Sequence, residues 1–160
     1  MPVDPGGYGS IRAMVARKRD LAGYWAAMSR ENVEVVRAMW AAYARGDGAA
    51  SLEAYAEDTV WDDTRYRPDG AVHQGRDALV DLVRTWRGTW ERYHAQAEDV
   101  LDAGGDNVAA VLRETGKGKG GGVELTNRWG LVVTVREGKI VHTTVYRTPE
   151  EALEAAGLGE

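Results

Sequence analysis

The chain has 160 residues, a length suited to one domain with its own core. Apolar residues make up 44% and charged residues 28%, with a net charge of -5 spread over interspersed acids and bases. This composition excludes a disordered or fibrous chain and argues against a nucleic-acid binder, which would show a basic face.

No apolar run approaches the roughly 20 residues of a membrane span. The sequence has no cysteine, which leaves out disulfides, a thiol nucleophile and cysteine-ligated metal. A cytoplasmic location is the default expectation. Phenylalanine is absent too, while there are six Trp and seven Tyr. A GC-rich bacterial coding bias would produce this usage. A cavity walled by rings that carry a polar handle would use it.

In chain order, residues 1–28 read as a flexible leader, its first ten residues rich in Pro and Gly. Residues 11–28 carry the pattern of an amphipathic helix. Charges interrupt each apolar stretch, so this is no signal peptide. The domain proper is placed at 29–160, with Ser29 as an N-cap. Val33, Val36, Trp40 and Tyr43 then share a helical face, and Gly46 and Gly48 stop the helix. A short helix is expected over Ala49–Tyr55, a short strand over Thr59–Asp62, and a loop at RYRPDG. A third helix is expected over Arg76–Tyr93, with Leu79, Leu82, Val83, Trp86 and Trp90 on one side.

From Gln96 the period changes. Gln96–Leu101, Val108–Thr115, Val123–Val135 and Ile140–Tyr146 read as strands joined by Gly-containing turns, an antiparallel meander. A last small helix starts at Thr148 as N-cap, with Pro149 at its first position and Glu151 completing a capping box. Gly157 closes it. Helices segregated from an antiparallel sheet define an α+β fold.

Some motifs are set aside. GKGKGG (Gly116–Gly121) matches G-x-G-x-x-G, but a strand follows it where dinucleotide binding needs a helix. There is no Walker A loop and no G-x-S-x-G elbow. His73, His94 and His142 lie far apart, so no metal or other cofactor is expected.

The order helix–helix–strand–helix–meander resembles the nuclear transport factor two-like superfamily, in particular its SnoaL-like branch. The resemblance is carried by SRENVEVVRAMWAAYARGD, SLEAYAEDTVWDD, QGRDALVDLV, DAGGDNVAAVLRETGKGKGGGVE and REGKIVHTTVYRTPEEALEAAGL, over about residues 29–158. It implies a cone-shaped curved antiparallel sheet, with three N-terminal helices packed on its concave face around one pocket. It also implies a homodimer through the outer face of the sheet. The superfamily holds ketosteroid isomerases, polyketide cyclases, dehydratases and epoxide hydrolases, as well as members without known activity, so fold does not fix function.

The resemblance places Asp62 where ketosteroid isomerases carry their general base. A carboxylate at the mouth of an apolar cavity can shuttle a proton from carbon beside a carbonyl. Strand alternation allows only one of Asp62 and Asp63 to face inward. The isomerase oxyanion partners fall on Met39 and Leu131, which cannot serve.

Tyr43, His73 and Asn127 are therefore the candidate donors. If Leu131 faces in, so do Asn127, Trp129, Thr143 and Val145, with His142 outward; a slip of one residue reverses this. Trp40, Trp61, Trp86, Trp90, Trp129, Arg113 and Thr143 are the candidate ligand contacts, and Glu98 is a candidate ion-pair partner for Arg113. The function this supports is a small-molecule pocket protein. It is either a cofactor-independent acid–base enzyme acting on an apolar carbonyl or epoxide compound, or a non-catalytic binding or dimerisation module.

Overall fold

A computed structural model describes the backbone of residues 6–159, and side chains from residue 21 onward. Helix α1 (Gly6–Ala44) is followed by α2 (Gly48–Glu53), β1 (Tyr55–Asp62), β2 (Val72–Gln74) and α3 (Arg76–Gly88). Strands β3 (Trp90–Asp102), β4 (Asn107–Gly118), β5 (Glu124–Arg136) and β6 (Lys139–Tyr146) then lead to α4 (Pro149–Ala155). The six strands form one curved sheet in the order β2-β1-β6-β5-β4-β3. All neighbours are antiparallel except β1 and β6, which run parallel. The fold is the expected α+β class.

The expected helix over residues 11–28 is part of α1, which continues without a break through Ser29. Ser29 is therefore not an N-cap. The preceding Tyr-Trp-Ala-Ala-Met segment contains no breaker, and 39 residues of helix extend roughly 58 Å. The flexible-leader expectation holds no structural counterpart at residues 6–28, which are helical, and falls outside the described residues at 1–5. Only the C-terminal part of α1 enters the core. Val36, Met39, Trp40 and Ala42 are buried there, while Leu21, Tyr24 and Trp25 stand out of it.

The second correction concerns α3. It ends at Gly88, with Thr89 as C-cap, so Trp90 and Tyr93 belong to β3. The spacing from Trp86 to Trp90 fits a helical turn. The segment Trp90–Ala97, however, pairs along its length with β4, and cross-strand burial prevails over local spacing. Asp47, not a glycine, caps α2, accepting from Ala50 N at 3.1 Å.

The meander follows period-2 patterning. Val108, Ala110, Leu112 and Glu114 on β4 face the concave side together with Trp129, Leu131 and Val133 on β5, and all are buried. Thr143 and Val145 sit opposite Val133 and Leu131, so the expected register holds. The hairpin between β5 and β6 turns on Glu137 and Gly138, both at positive φ.

The convex face is partly covered as well. Helix α4, capped by Thr148 as the sequence indicates, packs on β4 and β5. Its approach requires Gly130: a Cβ there would overlap the Ala152 methyl and lie 3.3 Å from Pro149 Cα. We expect Gly130→Ala to lower stability by about 1–3 kcal/mol and Ala152→Gly to recover part of the loss. Urea midpoints of the two single variants and the double variant measure that coupling. Strictly additive midpoints would show that α4 does not pack this way.

Candidate functional site

Helices α1, α2 and α3 close over the concave sheet around a cavity of about 460 Å³. Met39, Trp40 and Tyr43 line it from α1, Leu79, Val83 and Trp86 from α3, and Trp61 from β1. Tyr93, Glu114, Trp129 and Val145 form its sheet side. The rings pack in two groups along the cavity wall. Trp40 meets Tyr43 edge-on at 5.4 Å and Trp129 at 6.0 Å, Tyr66 meets Trp129 at 5.9 Å, and Trp86 meets Tyr93 at 6.0 Å between centroids. Each such pair contributes about 0.5–1.5 kcal/mol beyond its buried area, so this wall is rigid as well as apolar.

Within this wall sits a carboxylate. Glu114 is only 2% exposed. Its Oε2 accepts from the Tyr93 hydroxyl at 2.5 Å, and its Oε1 accepts from the Tyr66 hydroxyl at 3.3 Å and from Asn127 Nδ2 at 3.1 Å. Asn127 Nδ2 also donates to the Tyr66 oxygen at 3.3 Å. Burial and the adjacent Glu114 carboxylate push the Tyr66 phenol up to about 12. The same two causes, burial first, raise Tyr93 further. Burial also raises Tyr43, with Arg87 opposing, and Tyr55. At neutral pH these phenols are donors.

The second carboxylate is Asp63, not Asp62. Alternation turns Asp63 inward, where it is 3% exposed and lines the cavity. Its Oδ1 accepts from Ala71 N at 2.7 Å, and Arg67 and His73 stand 3.3 Å and 3.5 Å from its Oδ2. These contacts fold the RYRPDG loop back on itself and deliver Tyr66 to Glu114. Gly70 is needed here, because a Cβ would run into the Asp63 carbonyl and lie 2.8 Å from Thr64 Cα.

Asp62 points away from the cavity. It accepts from Thr64 N at 2.9 Å and Thr64 Oγ1 at 2.6 Å, and these bonds hold its carboxyl below the usual carboxylate range. The inward-facing carboxylate expected at Asp62 is thus Asp63, one residue on, because the strand register turns Asp62 outward.

The other expected site residues divide. Tyr43, Trp40, Trp61, Trp86 and Trp129 line the cavity. His73 reaches it through Asp63, and Asn127 through Glu114. Trp90 lies behind Trp86, at 5.5 Å, and packs over Gly116, where a Cβ would come within 3.0 Å of its ring. Thr143 is buried among the strands without lining the cavity. Arg113 is exposed on the outer face, and Glu98 pairs with Arg128 instead, at 2.9 Å. The register places Arg113 opposite Gln96 because β3 shifts between Ala97 and Asp99.

Glu114, Tyr66 and Tyr93 were missed. Glu114 continues the inward series Val108, Ala110, Leu112, which is a legible signal. Tyr66 is hidden in a loop, and Tyr93 in an apparent helix. Among the described residues no three His, Asp or Glu side chains converge as a metal site would require. No helix among them is long and apolar enough to cross a membrane.

A profile of the SnoaL-like domain family matches residues 36–143. No curated protein matches the sequence significantly. Among solved structures, Bal32a from a soil-derived mobile gene cassette is 22% identical, with a TM-score of 0.66 over 74% of this chain and 90% of that one. A protein with a ketosteroid isomerase-like fold from Catenulispora acidiphila, in complex with trimethylamine, is 22% identical, with a TM-score of 0.61 over 78% and 93%. A candidate polyketide cyclase from Xanthomonas campestris is 23% identical, with a TM-score of 0.61 over 81% and 98%. At these identities the likeness is one of fold.

The raised phenols give a direct check. Tyr55, Tyr66 and Tyr93 are expected to stay un-ionised in the native protein at about pH 11, so native absorbance at 295 nm falls below that of urea-unfolded chain. A phenol raised on folding stabilises the protein fully below its unfolded value of 10.0, and that stability is lost as pH rises toward about 12. Equal native and unfolded absorbance would place these hydroxyls in solvent.

Proposed function

Because the chain belongs to the SnoaL-like domain family, whose profile runs from the C-terminal part of α1 into β6, we propose that it is a cofactor-independent acid–base enzyme acting on a small, largely apolar carbonyl or epoxide compound. One observation carries this reading. A buried carboxylate, Glu114, and two protonated tyrosines meet at the floor of an aromatic cavity. Glu114 is the group that takes a proton from carbon beside a carbonyl. Tyr66 and Tyr93 donate to it and turn to the substrate oxygen as charge develops there. Tyr43 stands on the same wall as a further donor. Asp63, held by His73 and Arg67, fixes the loop that carries Tyr66 and supplies a second acid–base pair at the cavity edge.

This arrangement stands in for the isomerase oxyanion pair. At the positions matching that pair, Met39 lines the cavity and accepts a long contact from the Tyr55 hydroxyl at 3.7 Å, while Leu131 is packed in the core. Trimethylamine in a protein of this fold supports a cavity that accepts a small organic guest. The reading includes a cytoplasmic homodimer through the outer sheet face, where Arg113 and Arg128 are exposed and α4 covers part of β4 and β5.

Thermal-shift screening against ketones, lactones and epoxides is expected to find stabilising ligands. With a turned-over compound in hand, Glu114→Gln is expected to lower kcat by about 10² or more while uncharged ligands still bind. Tyr66→Phe should have a smaller effect on kcat. Ligands that bind without turnover would establish a binding module instead, and undiminished turnover in Glu114→Gln would remove Glu114 from the mechanism.

A further inference from the structure

We infer that the cavity selects a compound carrying a cationic nitrogen, a protonated amine or a quaternary ammonium on a largely apolar body, with Glu114 as its counter-ion. This rests on the small-molecule pocket reading but not on turnover. Glu114 is almost wholly buried, and its three partners, Tyr66, Tyr93 and Asn127, are all neutral. None of the ion pairs among the described residues includes it.

The basic side chains near the cavity are occupied elsewhere. Arg67 and His73 face Asp63, and Arg84 leans toward Asp81 at 3.7 Å. The Arg87 guanidinium lies over the Tyr43 ring, 5.3 Å from its centroid. A buried carboxylate gains most from an opposite charge, and hydrogen bonds from neutral donors supply only part of that compensation.

The wall around Glu114 is suited to the same guest. Trp40, Tyr43, Trp86, Tyr93 and Trp129 all line the cavity, with Trp40 edge-on to Tyr43 and Trp129, and Trp86 edge-on to Tyr93. An aromatic face attracts an organic cation, and such boxes recognise alkylated ammonium groups. Arg87 over Tyr43 shows a cation already resting on this wall at its rim. The volume of about 460 Å³ admits a group well beyond a single ammonium head. An anionic guest would instead meet Glu114 with repulsion at the floor.

The test compares benzyltrimethylammonium, whose charge does not depend on pH, with its uncharged carbon isostere neopentylbenzene. Intrinsic tryptophan fluorescence of the full chain is the readout. The cation is expected to bind at least ten-fold more tightly than the isostere, and phenylacetate not to bind. Glu114→Gln should remove the preference while still binding neopentylbenzene, which also reports that the variant is folded.

Equal or tighter binding of the isostere by the unaltered protein overturns the inference and leaves the apolar pocket standing. A preference that survives in Glu114→Gln overturns the role of Glu114. Binding of neither probe overturns this inference and the pocket reading together. The comparison in the unaltered protein decides the matter even if the variant does not fold.

Discussion

The buried Glu114 carboxylate organises this molecule's interior. Its partners come from three separate places: Tyr93 from β3, Asn127 from β5, and Tyr66 from the loop after β1. A carboxylate taken out of water must be satisfied or it destabilises the fold. The sheet can therefore keep its register at β3, β4 and β5 only while these donors converge. The Asp63 loop obeys the same requirement from the other side, because Tyr66 reaches Glu114 only when Asp63 accepts from Ala71 N and Gly70 passes against the Asp63 backbone.

The polar cluster explains why the helices cover the sheet without filling it. Helices α1 and α3 lay Trp40, Leu79 and Trp86 over the concave side, but large rings packed edge-to-face cannot close against a curved surface. Space remains above Glu114, bounded by groups that are apolar except at the floor and at Asp63. The same sheet is partly covered on its convex side, where Gly130 lets α4 approach closely. One strand, β5, thus presents Trp129 and Leu131 to the cavity side and Gly130 to α4. Alternation gives each face its own packing problem.

Much of this was legible in the residues. Period-2 runs marked β4, β5 and β6, and their register followed from placing Leu131 inward, which put Thr143 and Val145 on the buried face as found. Turn chemistry marked Glu137–Gly138, and the Thr148 cap marked α4. The errors came where local pattern and long-range pairing disagree.

Trp86, Trp90 and Tyr93 have helical spacing, yet β4 supplies partners that carry Trp90 onward as strand. Asp62 and Asp63 are equivalent in composition. Only the return of the chain at Ala71 decides which one faces in. Val72–Gln74 is too short to announce itself and exists because β1 offers it an edge.

The departure at Met39 and Leu131 now has a physical reading. An oxyanion site at those positions would need polar groups on α1 and deep in β5, where this chain has put a thioether and a fully buried leucine. Polar groups cannot be added to such a core without partners. The polarity lies elsewhere on the sheet instead, at Glu114, Tyr93, Asn127 and Tyr66, supplied in turn by β4, β3, β5 and the Asp63 loop. Raised phenols follow from that placement, since each hydroxyl sits beside a carboxylate in low-dielectric surroundings and keeps its proton. A site built this way holds its acceptor and its donors within one hydrogen-bonded unit. A guest entering this cavity would have to compete with the protein's own bonds for any polar contact with Glu114.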